Sequence, residues 1–379
     1  MTEKKRPSVI GRCEFIKSAA AAGAGLAATA GLDVAGMTRA IAAAPALAGP
    51  LLISNWPYYI GPKTVANFEK AYGVKVRYIE DINDNPSLFG KIAQPLQAGR
   101  NPDRDIIVPT DYLAARLVKL GWLEKYSHSE VPNIKNLVPE LAHPDWDPNR
   151  EYSLPWAMYM TGIAYDIKKT GRELTSVNDI FDPKFRGHVS MLNQMRDTLA
   201  LVLLGLGVAP EKATYADAQA AVGKIKENVK NGQIRQFFGN DYGAALSRGD
   251  VWVTFAFSGD VVSLQKDNPN LRFLIPKEGL YHSVDNMVIP INAAHRAAAL
   301  AWMNYIYKPE VYAEIIAAVQ YIPPVAGTQE FVRKINPKLA SNPLVYPSKA
   351  VLAKSHSFAT LSTEDERKWE TLFQDAIAK

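Results

Sequence analysis

Short apolar runs of strand length recur along this chain, each separated from the next by a stretch with helical spacing. They are Leu51–Asn55, Val74–Tyr78, Ile106–Val108, Val189–Leu192, Val251–Phe257, Arg272–Ile275 and Met287–Ile291. A chain punctuated in this way builds helices against a sheet and belongs to the α/β class. Helices are clearest late in the sequence. Ala293–Tyr307 is Ala-rich and ends at the Lys308-Pro309 step, and Val311–Gln320 is stopped by Pro323 and Pro324. The last helix is expected to open with a capping box of Thr363 and Glu366, and it places Trp369, Leu372, Phe373 and Ala376 on one face. No shift in composition marks a domain boundary, which suggests domains joined by several crossings. The apolar, extended segment Tyr152–Tyr165 is a candidate for the first.

The first of these runs ends at Asn55 and is followed at once by Trp56, Tyr58 and Tyr59 around Pro57. Open α/β sheets bind ligands at the loops that leave their strands, so these rings mark a candidate site.

Everything before that strand reads as an export leader over residues 1–48. Lys4, Lys5, Arg6, Arg12 and Lys17 form a basic head, and the uncharged Ala/Gly stretch from Ser18 to Leu32 follows. That stretch is shorter and less apolar than the ~20 residues of a bilayer-spanning helix. Arg12-Cys13-Glu14-Phe15-Ile16-Lys17 is similar to a twin-arginine export signal, with Cys13 where the second arginine would stand. Cys13 is the only cysteine, so a chain cut after the leader has no disulfide, no cysteine nucleophile and no zinc–thiolate site. The net charge of +5 also shrinks. Six of the 43 Lys and Arg and three of the 38 Asp and Glu precede Gly49, which leaves +2, dispersed along the chain rather than clustered as nucleic-acid binding requires. His128, His143, His188, His282, His295 and His356 show no metal-ligand spacing, and no phosphate loop or nucleophile elbow occurs after the leader. Nothing argues for an enzyme, a cofactor or a metal.

Seven segments, in order, carry a family resemblance: Asn55-Trp56 with Tyr59, Ile107–Tyr112, Tyr152–Pro155, Asp182–Lys184, Pro276–Gly279, Asp285–Pro290 and Lys308–Val311. With these, the chain from Leu51 to its end resembles the spermidine/putrescine-type periplasmic receptors of ABC importers. The resemblance implies a two-lobed fold of the type II binding-protein kind, each lobe a mixed sheet flanked by helices, with the ligand in the cleft between. It implies lobes of residues 49–158 plus 284–330 and 159–283 plus 331–379. It also implies a monomer that hands a small cationic amine to a membrane permease and its ATPase.

Mapped onto this sequence, the resemblance makes Trp56, Tyr59, Thr110, Tyr112, Gln194, Asp197, Phe257, Asp285 and Tyr321 the ligand-binding residues. A polyamine asks for such a set, because each ammonium needs a carboxylate and the methylene chain needs flat aromatic faces. Phe257 stands where the family usually has tryptophan, Gln194 where it often has a second carboxylate, and Ser283 where a tryptophan usually precedes the acid at 285. Three alternatives stay open at this stage: 4-aminobutyrate or an opine-like zwitterion with its carboxylate on Arg196, a bland role for Asp197 as a helix N-terminal charge, and a periplasmic enzyme on the same fold.

Overall fold

The computed structural model describes residues 47–359 and 361–378. The leader expected over 1–48 lies outside them except for its last two residues. Ten strands form one continuous mixed sheet. They are β1 (Leu51–Asn55), β2 (Val76–Glu80), β3 (Ile106–Ile107), β4 (Ser153–Asp166), β5 (Val189–Leu192), β6 (Ile234–Phe238), β7 (Val253–Phe257), β8 (Leu271–Leu274), β9 (Leu280–Val288) and β10 (Ser355–His356). The order across the sheet is β2-β1-β3-β9-β4-β7-β5-β6, with β10 beside β9 and β8 beside β4. At either end lies a parallel set, β2-β1-β3 and β7-β5-β6, each fed by helical crossovers as parallel pairing demands.

Between these sets run the two longest strands, antiparallel to each other from Ser153↔Val288 to Thr161↔Tyr281. From Thr161 to Tyr165, β4 pairs with β7, and from Ile163 to Asp166 it pairs with β8 as well. Buried side chains gather accordingly into two main cores. One draws on residues from Leu51 to Ala157 and from Met287 to Val345 together with Val262, the other on residues between Tyr159 and Tyr281 and from Phe358 to Ala376. The chain therefore folds as two lobes, and β4 passes from one core to the other within three residues. A small third core joins Met158, Met160, Leu280 and Val284 of the crossing strands to Ile322, which bridges to Met158. Pro155 cannot donate a ladder hydrogen bond, and it sits where the register of β4 against β9 slips. The carbonyls freed there are not wasted. Tyr307 Oη donates to Pro155 O at 2.6 Å, and Tyr312 Oη donates to Trp156 O.

Three sequence expectations shift. β6 was not expected, because Arg235 and Gln236 interrupt its apolar pattern; it is the edge strand and turns those residues to solvent. β9 begins at Leu280 rather than near Met287, since its polar residues Ser283, Asp285 and Asn286 are buried at the crossing instead of lying in a loop. The last helix runs Thr363–Ile377, but its cap is Ser362, whose hydroxyl accepts from the Asp365 amide at 3.0 Å. No Thr363–Glu366 capping box forms, and Glu366 is drawn to Arg196 instead.

Trp369 is fully enclosed in the second core, edge-on to Phe358 with ring centroids 5.7 Å apart. Truncating so large a buried side chain leaves a cavity that backbone relaxation fills only in part. Trp369→Ala is expected to lower unfolding stability by about 3–5 kcal/mol in urea denaturation. A loss below about 1 kcal/mol would contradict the placement of this helix.

Candidate functional site

The anchor of the site is Asp285, on the stretch of β9 that joins the two lobes. Its carboxylate is 4% exposed and accepts from Thr110 Oγ1 at 2.9 Å and Tyr59 Oη at 3.0 Å. Each donor is fixed by its own neighbours. Thr110 caps the helix Asp111–Lys119 and is clamped by Asn85, which donates from Nδ2 to its hydroxyl at 2.8 Å and accepts its amide at 3.1 Å. Tyr59 follows β1 on the loop where Trp56 is pinned through Nε1 to Val108 O at 2.9 Å. Burial pushes the Asp285 carboxyl up to about 7, against the two hydroxyls that favour its charged form. No ion pair reaches it among the described residues.

A second carboxylate enters from the other lobe. Asp260, in the first turn of the helix Ser258–Leu264, accepts from Tyr321 Oη at 2.6 Å and Tyr242 Oη at 2.7 Å, and burial raises its pKa as well. The two tyrosine–aspartate pairs meet, because the rings of Tyr59 and Tyr321 pack edge to face with centroids 5.1 Å apart. Gly259 makes that contact possible. A Cβ there would lie 2.5 Å from Cδ2 of Tyr321, so only glycine lets the ring lie against this helix.

Together these residues line a cavity of about 460 Å³. Trp56, Tyr59, Tyr159, Phe257 and Tyr321 supply aromatic walls; Ala318, Val319 and Leu264 supply aliphatic ones. Tyr159 and Phe257 pack edge to face at 5.1 Å. Three aspartates, Asp241, Asp260 and Asp285, lie on the wall, and it includes no Lys, Arg or His. Tyr58, at 89% exposure and with a positive φ of 58°, stands at the rim.

Of the nine residues expected to bind ligand, seven line this cavity: Trp56, Tyr59, Thr110, Gln194, Phe257, Asp285 and Tyr321. Tyr112 and Asp197 do not. The Tyr112 ring lies against the guanidinium of Arg196, 4.5 Å from ring centroid to Cζ. Asp197 sits in the first turn of the helix Met195–Gly205, the bland alternative, yet it is buried there, accepts from Thr161 Oγ1 at 2.6 Å and is pushed up to about 7 by burial. Arg196 is likewise off the wall and is ion-paired with Glu366. His282 alternates with Asp285 along β9 and points to the opposite face, where burial lowers its pKa. Sequence reading missed Asp260 and Tyr159. A signal for Tyr159 existed, since it lies in the extended segment read as a crossing. Asp260 follows a strand end within Ser258-Gly259-Asp260, a pattern too common to single out. Among the described residues no group of three or more His, Cys, Asp or Glu is placed to hold a metal ion, and no helix is long and apolar enough to cross a membrane.

A wall of rings and acids between two lobes is the geometry of a receptor for a small molecule, and comparison with known proteins agrees. The chain is 30% identical over 340 residues to the putrescine-binding periplasmic protein PotF of Escherichia coli, covering 84% of this chain and 87% of that one. It is 29% identical over 339 residues to the putrescine-binding periplasmic protein SpuD of Pseudomonas aeruginosa, covering 84% and 89%. Among solved structures, one described as a putative spermidine/putrescine ABC transporter, from Listeria monocytogenes, superposes with a TM-score of 0.78 at 27% identity over 86% of this chain and 98% of that one. The model of the bacterial extracellular solute-binding proteins matches residues 63–347, and the chain belongs to that family.

Proposed function

We propose that this protein is the exported receptor of an ABC importer, that it captures a polyamine of the putrescine or spermidine kind between its lobes, and that it delivers the guest to a membrane permease and its ATPase in the periplasm. The observation that carries the reading is the charge of the cavity. Its wall holds Asp241, Asp260 and Asp285 with no lysine, arginine or histidine, so the guest must bring the positive charge. Similarity to two putrescine-binding relatives supports the same class.

In this reading one ammonium docks at Asp285 beside Thr110 and Tyr59, and a second at Asp260 beside Tyr321. The methylenes between them run along Trp56, Tyr159 and Phe257, whose faces attract the cationic ends by cation–π contact. Charge-assisted hydrogen bonds contribute ~1.5–3 kcal/mol each, so two ends and the rings suffice for micromolar binding or tighter. Asp260 takes the place of the acid missing at Gln194. A zwitterion such as 4-aminobutyrate or an opine finds no such welcome, since its carboxylate would face aspartates while Arg196 is held by Glu366. The protein acts by binding alone, without turnover, as a monomer and without nucleic acid; a leader over residues 1–48, twin-arginine-like at Arg12–Lys17, directs its export. The lobes divide as residues 49–158 plus 284–330 and 159–283 plus 331–379, except that burial of Val332, Leu339 and Val345 in the first core favours a last crossing between Val345 and Phe358 over one at 330.

Calorimetry with putrescine tests the two-carboxylate pocket. Asp285→Asn is expected to weaken putrescine roughly 10- to 150-fold, the loss of one charge-assisted contact. Asp260→Asn should weaken putrescine to a similar degree but leave butylamine, with its single ammonium, nearly unchanged; equal losses for the two amines would sink the two-ended pocket. Gly259→Ala should displace Tyr321 from Asp260 and cost about tenfold in affinity, the worth of one hydrogen bond to a charged group.

Acidity provides a separate check with opposite signs for ligand and fold. In the ligand-free protein Asp285 and Asp197 keep protons up to about pH 7 that the unfolded chain loses near 3.8. Their contribution to stability is therefore present in acid and fades as pH rises between those values. A bound ammonium favours the ionised Asp285, so affinity must fall as pH drops below about 7, by up to about tenfold per pH unit for this one carboxyl. Putrescine affinity that stays flat from pH 8 to pH 5 would refute the role of Asp285.

A further inference from the structure

Arg196 is 7% exposed and permanently charged, yet it takes no part in the cavity. Its own lobe fixes it on several sides. Glu366, on the last helix, pairs with it; Nη1 donates to Ala359 O at 3.2 Å; and the ring of Phe358 lies 5.0 Å from Cζ. The remaining contact crosses to the other lobe, where the Tyr112 ring lies 4.5 Å from Cζ. Tyr112 is held just as firmly. It stands in the first turn of the helix Asp111–Lys119 and packs on the first core, and its amide donates to Asp111 Oδ1 at 2.7 Å. Asp111 is in turn tied to the crossing strand by Ser283 Oγ at 2.8 Å.

We propose that Tyr112 and Arg196 form a clasp between the lobes, with Glu366 as its anchor, that holds the cleft closed and sets how long a guest stays inside. Both partners are immobilised before they meet, so their stacking costs little conformational entropy. Opening the lobes gives up the ring–guanidinium contact for hydration, while the Glu366 pair, which lies within one lobe, stays with Arg196 in either state. Neither residue lines the cavity. The clasp thus governs the escape of any ligand regardless of its chemistry, while Asp260 and Asp285 select which ligand enters. Tyr112, expected from the sequence to bind ligand, is on this assignment a positioning residue.

The inference uses the polyamine reading for one of its two measurements. Stopped-flow release of putrescine is expected to be about threefold to thirtyfold faster in Tyr112→Leu and in Glu366→Gln, the range of one desolvated cation–π contact, with the association rate unchanged. Faster release in Tyr112→Leu alone would make Tyr112 an ordinary ligand contact and overturn the clasp. Unchanged release in both variants would overturn it too. Small-angle scattering of the ligand-free protein needs no guest, so it separates failure of the clasp from failure of the polyamine assignment. Both variants should show a larger radius of gyration than the parent protein, and identical radii would refute the clasp. Tyr112→Leu preserves apolar bulk and keeps the comparison available if Glu366→Gln, which strands the Arg196 charge, fails to fold.

Discussion

A carboxylate drawn out of water without a cation is costly, and the interlobe cavity is built around two of them, Asp285 buried and Asp260 half-buried. The hydrogen bonds that each accepts come from hydroxyls. Hydroxyls stabilise the charge in part, and the remaining deficit appears as raised pKa values. The deficit is what a cationic guest would remove. Unspent charge of this kind discriminates better than a satisfied ion pair, because a neutral or anionic molecule of the same shape leaves the penalty standing.

The scaffold makes that arrangement possible by carrying two long strands through the gap between its cores. β4 and β9 hold polar residues that a core strand would reject. Asp285, Asn286 and Ser283 are all buried, and each has a named partner: Asp285 accepts from Thr110 and Tyr59, Arg150 Nη1 donates to Asn286 Oδ1 at 3.0 Å, and Ser283 Oγ donates to Asp111. Strand rigidity fixes the first acid, while helix Ser258–Leu264 brings the second from the opposite lobe. The pocket is complete only when both lobes contribute, which ties binding to lobe position.

The expected residues lie on the cavity wall where chemistry and local pattern coincide. The loop after β1 announces itself, since three aromatic residues around a proline have little local reason to follow a buried strand unless they cover something. Thr110, Phe257 and Tyr321 also line the cavity, each at or near the end of a strand or helix. Tyr112 and Asp197, which the family pattern put at the ligand, lie off this wall. Tyr112 is two residues beyond Thr110, and on a helical first turn those two steps carry the side chain away, toward Arg196. Asp197 is likewise on a first turn, next to Arg196, and faces Thr161.

Local order along the chain determined the layered α/β class, the principal strands, the late helices and the aromatic loop, because periodicity and proline placement act over a few residues. The partners of each buried charge were decided only by tertiary structure. Tyr59 meets Asp285 across 226 positions and Arg196 meets Glu366 across 170. No pattern spanning a helical turn or a strand contains such pairings, since they depend on how two lobes come together after their cores have formed. For the same reason Glu366, whose spacing from Thr363 suits a capping box, serves instead as counter-ion to a guanidinium that the helix meets only in the folded protein.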